Sequence, residues 1–329
     1  MQGEDKQPAA EILIIGGGTA GGVAAAELAK AGFAVVCLEQ GGWTSESDFP
    51  GDKVDWEVTS GKQWHPNPNI RQRPEDYPCE TSESAVDAWM FNGVGGTSIL
   101  YAGCWSRFLP SDFRVRSLDS VADDWPIDYR ELEPYYDEVD IEMAVSGLAG
   151  DPAYPPSTPL PLPPHPITKA GRKAAEGMNK LGWHWWPGTN AIPSKPYGPL
   201  RVCTRRGICR HGCPEAAKAS TDLTHWPEAL RRNARVVTHA RVREITVDSQ
   251  GLTNGAVYYD RDGNEHFQAA EVVMLAANGV GTPRLLLLSQ SHSFPEGLAN
   301  SSGLVGKRLM MHPYATVLGI YAVSYTHLT

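Results

Sequence analysis

No stretch of about 18 apolar residues, the length a spanning helix needs, occurs in the 329-residue chain, so no membrane-crossing helix is expected. The opening residues Met1–Ala10 are polar and lack the apolar centre of an export signal, which makes the cytoplasm the first expectation for location. Cysteine is scarce: six residues in a chain of this size do not make a disulfide scaffold. Positive charge is also in deficit, with 29 Lys and Arg against 38 Asp and Glu and a net charge of −9. Such a surface is repelled by phosphate backbones, so nucleic acid is not the expected partner. Repeats of solenoid length are absent. What is present is an ordinary globular composition, 41% apolar and 20% charged, long enough to bury a sizeable core in one large or two ordinary domains.

The chain opens on a short apolar run, Glu11–Ile15, followed at once by glycines. Thr19–Ala31 is rich in alanine and reads as a helix, and Ala34–Leu38 is a second apolar run that ends at Glu39. The order is strand, turn, helix, strand: one βαβ unit. Gly41–Asp87 has no clear period and reads as loops and short elements. A second glycine cluster, Gly93, Gly95 and Gly96, follows. Tyr129–Val145 reads as a helix with Leu132, Tyr135, Tyr136, Val139 and Met143 on one face. Asp151–Pro166 holds eight prolines, which stiffen the backbone and remove donors, and marks a connector. Beyond it, Ile167–Leu181 reads as a helix, Ala229–Val247 as helix then strand, and Gly255–Phe267 as a hairpin around Asp262–Gly263. Glu271–Ala277 has the pattern of a buried strand and Thr282–Ser289 that of a helix start. The expected organisation is 1–150 as a dinucleotide-binding unit with its loops, 151–230 as connector, substrate-side segment and cysteine loop, 231–322 as a return to the first domain, and 323–329 as a foreign tail.

Gly16, Gly18 and Gly21 fit the G-x-G-x-x-G fingerprint, which alone is weak. Here it follows a strand, opens a helix and is answered by Glu39, 18 residues after Gly21. Each glycine has a physical role. Gly16 allows the tight turn, Gly18 the close approach to a pyrophosphate, and Gly21 the packing of helix on strand. The helix N-terminus, at Thr19 and Ala20, offers free N–H groups and a positive dipole end. Glu39 can accept from ribose hydroxyls, and its charge would repel a 2′-phosphate, which disfavours NADP. Between FAD and NAD the second cluster, Asn92–Ser98, favours FAD. Gly95 and Gly96 with the hydroxyls of Thr97 and Ser98 can cradle more phosphate or lie flat beside a ring system.

The ordered set of motifs resembles the glucose–methanol–choline (GMC) family of flavoenzymes. Ile14–Gly21 and Leu38–Gly42 look like its opening unit, Gly93–Ser98 like its first flavin loop, and Trp125-Pro126-Ile127 with Leu132–Tyr136 like its family helix. Asn278–Leu286 resembles its second signature, and Asn300–Lys307 with His312-Pro313 a later segment. Gly95–Gly103 and Arg107–Phe113 are similar to bacterial sugar and sugar-acid dehydrogenases such as gluconate and glucose dehydrogenase large subunits, with Tyr101 standing where tryptophan is expected. The resemblance implies an α/β fold: a Rossmann-like FAD-binding domain with a mixed α+β substrate domain, the latter incomplete. It further implies FAD held by Gly16, Gly18, Thr19, Ala20, Gly21, Glu39, Gln40, Gly95, Gly96, Thr97 and Ser98. Val242 would meet adenine through its backbone, a plain core role for that valine being the alternative.

Cys203, Cys209 and Cys213 form C-x5-C-x3-C, followed by Pro214. Three thiolates in eleven residues can close on one metal centre, and Arg201, Arg205, Arg206, Arg210 and Lys218 nearby would favour the thiolate form. Zinc held with His211, or free or disulfide-bonded cysteines without a ligand, remain alternatives at this point. The resemblance implies a three-iron, four-sulfur cluster. It implies oxidation of CH–OH groups of an alcohol, sugar or sugar acid, with electrons leaving through the cluster to an external acceptor such as a cytochrome subunit. A small signal-bearing subunit would carry such a protein to the periplasmic face. An alcohol, sterol or choline oxidase without a cluster, a nicotinamide dehydrogenase and an inactive FAD-binding fragment are the competing readings. The family's catalytic histidine is expected beyond the chain's end, so no catalytic residue is assigned. Val323–Thr329 resembles a read-through of a sequencing adapter. Resequencing the locus is expected to show the reading frame continuing past Ala322 with other residues; a stop codon after Thr329 would refute this.

Overall fold

The computed structural model describes residues 8–59 and 61–311. His312-Pro313 and the tail Val323–Thr329 lie outside the described residues. The chain starts with strand β1 (Ala10–Ile15), helix α1 (Thr19–Lys30) and strand β2 (Val35–Leu38), which pairs parallel to β1 with Ile12 opposite Val35. This is the βαβ unit that the apolar period predicts. Among the described residues, Gly41–Asp87 contains only short helical turns, the longest four residues. Helix α2 (Tyr129–Glu142) stops three residues before the predicted Val145. Its predicted face is only partly buried: Tyr135 is exposed, Leu132, Tyr136 and Val139 are half-buried, and Met143 is buried just past the helix end, while the residues buried within the helix are Tyr129 and the charged Asp140. The reason is electrostatic, since Asp140 accepts from Trp105 Nε1 at 2.9 Å and from Arg107 at 2.6 Å. Helix α3 (Lys169–Leu181) is capped by the Thr168 hydroxyl and closed by Gly182 in the left-handed region.

The predicted helix-then-strand over Ala229–Val247 resolves into helix α4 (Trp226–Arg231) and two strands, β3 (Arg235–Val237) and β4 (Arg241–Val247). The hairpin is present as β5 (Thr253–Tyr259) and β6 (Glu265–Leu275), joined through a turn in which the Asp260 carboxylate accepts the N–H groups of Asp262 and Asn264. Strand order is β3-β2-β1-β6-β5-β4. β6 serves two partners: its first half pairs antiparallel to β5, and Ala270–Leu275 runs parallel to β1. Long β6 therefore folds the β4–β6 meander back over one face of the parallel strands. Leu13 and Ile15 of β1 pack there with Val242, Ile245, Ala256 and Tyr258, and with Leu285 of helix α5 (Asn278–Leu288). The other face of β1, Ile12 and Ile14, packs against Ala25, Ala26 and Ala29 of α1 and Trp226 and Ala229 of α4. Burial on both faces explains why β1 reads as an unbroken apolar run. β6 departs from the predicted buried pattern: Val272 is 55% exposed, although its backbone pairs with Ile12. Among the described residues, no helix is long and apolar enough to cross a membrane.

Trp226 fixes the helical layer to the first turn of the chain. It is fully buried, and its indole N–H donates to the Gly17 carbonyl at 2.8 Å. Trp226→Phe keeps most of the packing and removes one of the two donors to that carbonyl, the other being the Gly95 N–H. The expected cost is about 0.5–1.5 kcal/mol in urea unfolding; a change within experimental error would show that the bond contributes nothing.

Candidate functional site

The parallel strands β1, β2 and β6 end together at Ile15, Leu38 and Leu275, and the crevice outside such carboxyl ends is where open α/β sheets take ligands. The turn after β1 starts with Gly16, whose N–H donates to the Leu38 carbonyl at 2.9 Å. Gly18 is the N-cap of α1. No side chain caps this end and the first turn holds no acidic residue, so its free N–H groups and dipole are available to an anion. Gly21 is buried in α1; any side chain there would run into the Gly16 carbonyl. It sets the helix–turn approach and does not line the crevice.

Glu39 has more to do than the sequence indicates. It is 5% exposed, and its carboxylate accepts from Gly17 N at 2.7 Å with Oε2 and from Gly41 N at 2.9 Å with Oε1. Both strand-end loops are thus held by one carboxylate. Burial pushes its pKa up, against the lowering effect of these backbone donors. It still borders the crevice, where free lone pairs can meet a ribose.

The second glycine cluster comes to the same place. Gly95 N donates to the Gly17 carbonyl at 2.9 Å. Gly96 sits at φ +53°, and a Cβ on it would fall 2.6 Å from the Gly18 Cα. Only glycine satisfies both the backbone and the approach. Ser98 is buried: its hydroxyl donates to the Gly95 carbonyl at 2.6 Å and accepts from Thr221 N at 3.2 Å. Gly95 and Ser98, predicted as ligand contacts, are therefore framework of this loop, while Gly96 and Thr97 face the crevice.

The crevice has a volume of about 470 Å³, within the range of small-molecule sites. Of the residues predicted to hold a cofactor, Gly16, Gly18, Thr19, Ala20, Glu39, Gln40, Gly96, Thr97 and Val242 line it. Sequence reasoning missed Tyr77 from the irregular segment and Phe91 just before the second glycine cluster, named Asn92 only as the start of that cluster, and assigned no contact to Asn278, Thr282 or Arg284 at the start of α5. The glycine and asparagine of Asn278–Thr282 carried a signal for the latter group. Tyr77 had none. It is brought in by a buried Arg71–Asp76 pair, 2.5 Å apart, in which Asp76 also accepts from Arg73 N and Asn92 Nδ2 at 2.9 Å. The Arg284 guanidinium lies 5.6 Å over the Tyr77 ring, closing the crevice from the α5 side. No histidine lines it among the described residues.

A profile of the GMC oxidoreductase family matches residues 10–314. The chain belongs to the GMC oxidoreductase family. It is 42% identical over 306 residues to 2-methyl-1,2-propanediol dehydrogenase of Mycolicibacterium austroafricanum, covering 92% of this chain and 55% of that protein. It is 31% identical over 324 residues to the fructose dehydrogenase large subunit of Gluconobacter japonicus, covering 92% of this chain and 58% of that one. Among solved structures, pyridoxine 4-oxidase from Mesorbium loti matches with a TM-score of 0.58 at 20% identity, covering 85% of this chain and 52% of that chain. The chain spans somewhat over half the length of these curated relatives. The α/β fold is the FAD-binding domain of GMC enzymes, and the crevice lies where its fingerprint glycines converge.

This GMC chain carries its cysteine motif in an irregular loop between Leu200 and Ser220. Cys203, Cys209 and Cys213 are half-buried and free. The thiols of Cys203 and Cys213 accept backbone N–H groups, from Arg205 at 3.3 Å and Ala217 at 3.4 Å. The expected effect of the surrounding cations needs correction. Arg201 pairs with Glu46, Arg206 with Glu215, and Arg210 lies 4.3 Å over the Trp89 ring. Burial pushes the Cys209 pKa up despite the lowering effect of Lys218. Among the described residues, no three His, Cys, Asp or Glu side chains are grouped as for a single metal ion, and His211 packs edge-on to Trp56 at 4.9 Å. A second cleft of about 570 Å³ reaches Cys213 and Lys218, and Asp222 Oδ1 and Thr44 Oγ1 on its walls are buried without hydrogen-bond partners.

Glu39→Gln offers one acceptor where two N–H groups converge, so one donor is left facing an amide. The expected result is a loss of about 1–3 kcal/mol in urea unfolding, together with weaker flavin nucleotide binding. Unchanged values for both would show that the double clamp is not needed.

Proposed function

We propose that this chain is the FAD-binding part of a dehydrogenase that oxidises a CH–OH group of a small alcohol, diol or sugar. The observation that carries the reading is the convergence of three separate stretches, Gly16–Ala20, Glu39–Gln40 and Gly96–Thr97, on one crevice. The uncapped N-terminus of α1 would meet the diphosphate, with Gly18 and Gly96 letting it approach the backbone. Glu39 would accept from the adenosine ribose, and Val242 with Ala240 would wall the adenine. Gly21, Gly95 and Ser98 would support these contacts without making them. Tyr77 and Phe91 would shield the bound cofactor from water, and Arg284 places a positive charge beside it. FAD supplies hydride acceptance from the substrate carbon; the chain supplies binding, orientation and a dry surrounding.

The substrate class follows from the relatives' names, a propanediol dehydrogenase and a fructose dehydrogenase. The three thiols support the dehydrogenase reading over the oxidase one. They share one loop, none is in a disulfide, and two already accept N–H···S hydrogen bonds of the kind that stabilise cluster sulfur ligands. An iron–sulfur centre held by Cys203, Cys209 and Cys213 would supply one-electron exit to an external acceptor such as a cytochrome.

Two measurements test this on the complete gene product, purified without oxygen. Small diols and sugars are expected to bleach the flavin and reduce an artificial dye without matching oxygen consumption; oxygen uptake at the rate of dye reduction would make the protein an oxidase. Iron analysis is expected to give about three irons per chain, and fewer than about two would remove the cluster.

A further inference from the structure

Lys218 is 2% exposed, yet it carries a full ammonium's worth of donors into the interior. All three are used. Nζ donates to the carbonyls of Ile99 at 2.7 Å, Tyr101 at 2.9 Å and Cys209 at 2.9 Å, and it stands 4.7 Å over the Tyr101 ring. The Tyr101 hydroxyl returns the contact by donating to the carbonyl of Ala219, the residue after Lys218, at 2.7 Å.

These carbonyls belong to two different stretches. Ile99 and Tyr101 directly follow the loop whose Gly96 and Thr97 line the cofactor crevice. Cys209 is the middle member of the cysteine triplet. The cysteine loop has no helix or strand of its own, and Arg205, Gly207, Gly212 and Ala216 in it take left-handed backbone angles. Its place is therefore set by individual ties, and Lys218 is a tie that reaches the cofactor side.

We propose that Lys218 is a positioning residue: it locks the cysteine loop to the segment behind the flavin loop and so fixes the distance from the cofactor crevice to the three thiols. The proposal rests on the reading of those thiols as ligands of an electron-exit centre, and its geometry is independent of whether iron is bound. A buried cation tied to three carbonyls suits this better than an apolar filler, because directional donors fix a loop where dispersion only packs it.

The test compares the FAD-loaded chain with Lys218→Met, which keeps the side chain's length and removes its donors. Backbone hydrogen exchange across residues 203–213 is expected to rise at least about tenfold, while exchange in β1 and α1 stays unchanged and flavin is retained. Iron affinity after reconstitution with ferrous iron and sulfide is expected to fall about tenfold. A side chain that merely fills space would be replaced by methionine without either effect, and unchanged exchange across 203–213 overturns the proposal. If the wild type takes up no iron but the exchange effect is present, the lock stands and the cluster reading falls. If the wild type takes up iron and Lys218→Met alters neither readout, the lock alone falls. Should Lys218→Met fail to fold, Lys218→Gln, a shorter neutral donor, is expected to give a smaller rise confined to the same loop; no rise there contradicts the lock.

Discussion

The Glu39 carboxylate holds the site together. Its two oxygens accept from Gly17 and Gly41, which lie in the loops after β1 and β2, and one side chain thereby ties the two loops to each other. With the first loop fixed, the Gly17 carbonyl is in place to accept from Gly95, and Gly18 and Gly96 meet backbone to backbone. Trp226 braces the same carbonyl from the helical layer. A buried carboxylate is costly, and here that cost is met by several backbone donors rather than by a cation. The crevice is thus assembled from main-chain groups, which suits a ligand recognised chiefly through phosphates.

Much of this was legible in the chain's pattern. β1, α1 and β2 follow from two short apolar runs around an alanine-rich segment, and the glycine spacing, Glu39 and the family resemblance pointed to nine of the crevice-lining residues. The motif could not separate residues that touch the ligand from those that shape the loop. Gly21, Gly95 and Ser98 sit inside the fingerprints yet serve helix packing and loop closure. Tyr77 was hidden for a different reason. Its segment has no period, and it reaches the crevice beside the buried Arg71–Asp76 pair, a tertiary arrangement that local pattern does not encode.

The cysteine loop shows how proximity in sequence misleads about charge. Five cations flank the thiols in the chain, but Arg201 and Arg206 are spent on carboxylates and Arg210 on an indole ring. Lys218 is the cation that turns inward, and it engages carbonyls. Burial then governs Cys209 more than charge does. Tyr101, which follows the Gly96–Thr97 loop, ties that segment to the cysteine loop: its ring lies under Lys218 and its hydroxyl donates to the Ala219 carbonyl at the loop's far end.

The crevice, on this reading, is built for a flavin nucleotide that carries an adenosine diphosphate. Calorimetric titration of the cofactor-free chain with FAD, FMN and NAD decides whether it is. Saturable one-to-one binding of FAD is predicted, with FMN, which lacks the adenosine end that Glu39 and Val242 would hold, and NAD both far weaker. Equal affinity for FAD and FMN, or no FAD binding by a folded chain, would contradict it.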